Sequence, residues 1–118
     1  MIFTAVDRES GEPFGHAELD QIEPGRSAHI CRVIVTPERR GHGIGTAVMH
    51  ELRRIAFEEL GLSRLTLNVY QWNAAAIASY ERVGFRARTL HETRADGDWA
   101  YYSMELERDR APGNPSIE

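Results

Sequence analysis

The chain contains no lysine; all 14 of its basic residues are arginine. That absence excludes a lysine Schiff base and any phosphate loop ending in Gly-Lys-Ser/Thr. One cysteine, Cys31, stands among 118 residues. A single thiol excludes an intrachain disulfide and a cysteine-based zinc cluster, and a reducing cytoplasm is the expected compartment. No apolar run approaches the roughly 20 residues needed to cross a bilayer, so no membrane partner is expected. The start, Met1-Ile2-Phe3-Thr4-Ala5-Val6-Asp7, lacks the basic-then-apolar order of a secretion signal. The 18 acids outnumber the arginines, for a net charge of −4, which argues against a nucleic-acid partner.

What is present is unevenly placed. Residues 1–31 hold two arginines against six acids, residues 32–64 six against four, and residues 65–118 six against eight. The one positive segment also holds the glycine cluster, so an anionic ligand is expected there and an amine partner nearer the amino terminus. Length suits one domain, read here as residues 1–107 with a flexible tail over 108–118.

Period-2 patterning predicts strands over 2–7, 14–22 and 29–36, joined by turns at Glu9–Pro13 and Glu23–Arg26. From Gly43 apolar residues recur at spacings of three and four (Ile44, Ala47, Val48, Leu52, Ile55, Ala56, Leu60), which predicts a helix closed by Gly61. Leu65, Leu67 and Val69 alternate as a fourth strand. Asn73 is placed to cap a second helix over 74–83 that stops at Gly84. Strands over 85–93 and 99–106, joined by a turn at 95–98, complete the order β-β-β-α-β-α-β-β. A strand–helix–strand crossover after an antiparallel meander requires a mixed sheet, in an α+β or α/β fold.

Arg39-Arg40-Gly41-His42-Gly43-Ile44-Gly45-Thr46 joins the third strand to the first helix. Glycines admit close backbone approach, and unpaired amides at a helix start favour an anion. Thr46 stands where a dinucleotide fingerprint requires glycine. The run from Val33 to Gly45 resembles the acetyl-CoA motif Gln/Arg-x-x-Gly-x-Gly/Ala of the GNAT acetyltransferase superfamily, with Arg40, Gly43 and Gly45 in its defining places. Asn73-Ala74-Ala75-Ala76-Ile77-Ala78-Ser79-Tyr80-Glu81-Arg82-Val83-Gly84-Phe85 resembles the second conserved block. Members of that superfamily carry a further strand and two helices ahead of the meander, whereas this chain opens at what resembles their second strand.

The resemblance implies a GNAT-like sheet whose third and fourth strands splay apart around acetyl-CoA. It implies that Arg40, Gly41, His42, Gly43, Ile44, Gly45 and Thr46 cradle the pyrophosphate. The backbone of Val33, Ile34 and Val35 would pair with the pantetheine arm, and Asn73 would hydrogen-bond it. No metal is implied. Direct acetyl transfer to the amine of a small molecule or peptide is the expected reaction; a non-catalytic acyl-CoA-binding module is the alternative. Such transfer needs a neutral amine, a stabilised oxyanion and a proton for the leaving thiolate. Tyr80 matches the family's general acid. His29 matches the position of a third-strand glutamate that serves some members as base; the fourth-strand glutamate of others is matched by Asn68. Trp72, Trp99, Tyr101 and Tyr102 are candidate walls for an acceptor pocket, and Cys31 reads as a core residue. Without the leading elements, apolar surface is left uncovered and a two-fold homodimer is expected.

Overall fold

The computed structural model describes residues 1–36, 43–92 and 100–108. The expected order is present: β1 (Ile2–Val6), β2 (Pro13–Glu23), β3 (Ser27–Val35), α1 (Ile44–Arg54), β4 (Arg64–Tyr70), α2 (Ala74–Val83), β5 (Arg86–His91) and β6 (Tyr101–Glu107). The six strands form one mixed sheet in the order β1-β2-β3-β4-β6-β5. β3 and β4 pair in parallel and every other neighbour pair is antiparallel. The expected turn over 95–98 and most of the tail lie outside the described residues. Arg108, expected at the start of a frayed tail, is instead tied down: its amide donates to the Ser63 carbonyl at 3.0 Å and its Nη1 to the Phe57 carbonyl at 3.3 Å.

One hydrophobic core lies between the helices and one sheet face. Ala17, Leu19, Ala28, Ile30, Leu65, Leu67, Met104 and Leu106 pack there against Met49, Leu52, Ala56 and Phe57. Alternation sends the intervening residues, among them His16, Glu18, His29, Thr66, Asn68 and Ser103, to the opposite face. No helix covers that open face among the described residues.

The first helix departs from the predicted stripe. After Arg54 it widens into a π-turn, Ile55–Glu59, with the Leu60 amide reaching back to the Ile55 carbonyl at 2.9 Å. Consecutive Ala56 and Phe57 are both buried in this wider turn. Met49 is buried in that stripe and Ala47 is exposed. Gly61 and Gly84 end their helices at φ +68° and +119°, in the left-handed region expected of such stops.

Candidate active site

A fault in the β2–β3 register shapes the centre of the sheet. Glu18 pairs with Arg32 and Leu19 with Ile30, so Cys31 is the extra residue of a β-bulge. Inward-facing positions shift phase across it, from Ala28 and Ile30 to Val33 and Val35. Cys31 is therefore exposed rather than part of the core, and its Sγ lies 3.7 Å from Glu18 Oε1. Burial and the charges of Asp20 and Glu18 raise its thiol pKa, which leaves it a poor nucleophile.

The bulge also marks where β3 leaves β4. The two strands pair only from Ser27 with Arg64 to Ile30 with Leu67. Beyond that point β3 bonds to β2, while β4 from Asn68 onward bonds to β6. A wedge-shaped gap opens between them, and the expected splay is thereby present.

The start of α1 stands after the end of β3. Gly43 is its N-cap at φ +75°, and no acidic residue occupies the first turn. A Cβ built on Gly43 or Gly45 would meet nothing within 4 Å among the described residues. Ile44 and Thr46 complete this turn. Arg40, Gly41 and His42 lie outside the described residues. Thr46 Oγ1 and Ser79 Oγ, 2.8 Å apart, tie the start of α1 to α2. A helix start with no acidic residue in its first turn fits an anionic group such as a pyrophosphate. Of the pantetheine-pairing candidates, Val33 is half-buried, Ile34 exposed and Val35 buried.

Asn73 caps α2, its Oδ1 accepting from the Ala76 amide at 3.2 Å. Two turns on, Tyr80 packs half-buried against the core, edge-on to Phe85 with ring centroids 6.2 Å apart. Burial pushes its phenol pKa upward, so the hydroxyl keeps its proton well into the alkaline range. His29 stands on the open face in the closed part of the β3–β4 pair, its Nδ1 2.8 Å from Thr66 Oγ1. Tyr80 and His29 thus lie on opposite faces of the sheet.

Among the aromatic candidates, Tyr102 packs against the core. Trp72 is 69% exposed and stacks on Tyr70 at 5.5 Å. Tyr101 lines a cavity of about 310 Å³ with Asn68, Val69 and Tyr70, and Trp99 lies outside the described residues. Two further polar groupings stand on the open face. His16 Nε2 lies 2.6 Å from Glu18 Oε2, and with Arg32 nearby the Glu18 carboxyl is held below its usual pKa. The second runs from Asn68 through Ser103 to His91. A His-x-Glu on one strand is visible by alternation alone, but the second grouping spans three strands and needs their register.

A family model described as the acetyltransferase (GNAT) family matches residues 2–85. The chain belongs to the GNAT acetyltransferase family. It is 35% identical over 83 residues to the thialysine N-ε-acetyltransferase of Sus scrofa, covering 70% of this chain and 45% of that one. It is 26% identical over 102 residues to an L-amino acid N-acetyltransferase of Escherichia coli, covering 81% and 63%. Among solved structures, a spermidine N-acetyltransferase variant from Vibrio cholerae superposes with a TM-score of 0.82 at 25% identity, over 92% of this chain and 65% of that one. The ribosomal-protein-S18-alanine N-acetyltransferase of Escherichia coli does so with 0.77 at 27%, over 99% and 74%. This GNAT chain spans about half the length of the thialysine enzymes it matches.

Proposed function

We propose that this GNAT domain transfers an acetyl group from acetyl-CoA directly to an amine. The observation that carries the reading is the parallel β3–β4 pair that parts at Cys31. The glycine-capped start of α1 follows β3 in the chain, and α2, which holds Tyr80, follows β4 and is tied to α1 through Ser79 and Thr46. Names of similar proteins support the reaction class, because each transfers acetyl to nitrogen.

Acetyl-CoA supplies an activated thioester. In this reading the amides at Gly43–Thr46 and the arginine at position 40 hold its phosphates, while the β3 backbone over Val33–Val35 aligns its arm. Tyr80 donates its phenolic proton to the departing sulfur, a role suited to a hydroxyl whose burial keeps it protonated. The amine approaches from the open face and gives up its proton to a histidine there. His29, the candidate from the sequence, has one ring nitrogen engaged by Thr66 and the other without a partner among the described residues.

A panel of thialysine, spermidine, an alanine-initiated peptide and L-amino acids, assayed for CoA release and product mass, tests the proposal. Acetylation of at least one amine supports it. Acetyl-CoA binding without turnover across the panel would favour an acyl-CoA-binding module instead.

A further inference from the structure

Asn68 is the first β4 residue beyond the last β3–β4 pair, so it stands where the gap opens on the open face. Its carboxamide cannot take up a proton at neutral pH. Ser103 of β6 is its cross-strand partner: its Oγ donates to Asn68 Oδ1 at 3.5 Å and lies 2.8 Å from His91 Nε2 of β5. The His91 ring lies flat on Tyr101, with centroids 4.8 Å apart and planes 17° from parallel, which fixes the orientation of its Nε2. Tyr101 and Asn68 both line the 310 Å³ cavity. The row therefore connects a cavity wall beside the gap to an imidazole two strands away.

We propose that His91, acting through the Ser103 hydroxyl, receives the proton released by the acceptor amine. The inference rests on the acetyltransferase reading. As the amine nitrogen bonds to the acetyl carbon and the carbon–sulfur bond breaks, the amine proton passes to Ser103 Oγ. The Ser103 hydroxyl turns from Asn68 Oδ1 to His91 Nε2 and gives up its own proton there, and the thiolate takes its proton from Tyr80. One imidazolium and one phenolate result, and solvent restores both.

His29 is less well placed. Thr66 holds it within the paired stretch of β3 and β4, before the gap opens. His16 stands on β2, opposite Ile34 and outboard of β3. β5 is an edge strand, so among the described residues the groups facing His91 come from β6: Tyr101 and Ser103, with Glu105 farther along engaging Arg88 at 3.4 Å. Glu92 follows His91 in the chain and is exposed.

The test is the pH dependence of kcat/KM with whichever amine of the panel turns over fastest. A substrate amine must shed one proton before attack, and a relay through His91 requires a second group to be unprotonated. At low pH the wild-type logarithmic plot therefore rises with a slope of two, whereas His91→Gln and Ser103→Ala rise with a slope of one. Their turnover falls about 100-fold, at the lower end of what general acid–base groups contribute, and acetyl-CoA affinity is unchanged. Asn68→Glu, which places a carboxylate at the gap, restores turnover in the His91→Gln background. A slope of two retained in folded His91→Gln overturns the relay, as does its loss in His29→Gln alone. A wild-type chain that acetylates none of the amines overturns the acetyltransferase reading, and the relay falls with it.

Discussion

Tyr80 and Phe85 meet edge to face, and phenylalanine at position 80 would keep that packing while removing the hydroxyl. In Tyr80→Phe, turnover is expected to fall about 10- to 100-fold, while calorimetry finds acetyl-CoA affinity nearly unchanged. Wild-type turnover in the variant would make Tyr80 a packing residue. Its raised pKa carries a pH signature as well. A general acid works only while protonated, so the alkaline limb of kcat belongs above the ordinary phenol value of about 10. A plateau that ends near neutrality would assign the limiting acid to another group.

The glycine-capped start of α1 and the Asn73 cap of α2 make separate demands. At φ +75° a β-branched residue is strained whatever the surrounding space, and its methyl groups would occupy the volume open to a phosphate. Gly43→Val is therefore expected to weaken acetyl-CoA binding at least tenfold, about 1.4 kcal/mol, as read by calorimetry on the folded variant. Unchanged affinity would remove this turn from the site. Asn73→Ala leaves the Ala76 amide without its acceptor and is expected to cost about 1 kcal/mol, measured as a lowered thermal midpoint.

The sheet as a whole has one face packed by helices and one face open. Ile2, Val6, Ile34 and Tyr70 are each more than 40% exposed, and alternation places them on the open face beside its polar rows. We propose that copies of the chain associate through this face, most simply about a two-fold axis. Light scattering at micromolar concentration is expected to return twice the chain mass of 13.4 kDa, and Ile34→Glu is expected to shift that value toward the monomer. A monomer for the unaltered chain at every concentration would dismiss the association.

Period and punctuation in the sequence were enough to place six strands, two helices and their glycine stops, because alternation, apolar stripes and left-handed termini are local properties. Two motifs, around Gly43 and around Tyr80, carried the resemblance to the family. Four features were decided by tertiary structure. The π-turn over Ile55–Glu59 carries Ala56 and Phe57 into the core and departs from the predicted helical stripe. The exposure of Cys31 and the parting of β3 from β4 follow from the one-residue mismatch between β2 and β3, which neither strand reveals alone. The row from Asn68 through Ser103 to His91 joins residues up to 35 positions apart, and only the register of β4, β6 and β5 brings their side chains within hydrogen-bonding distance.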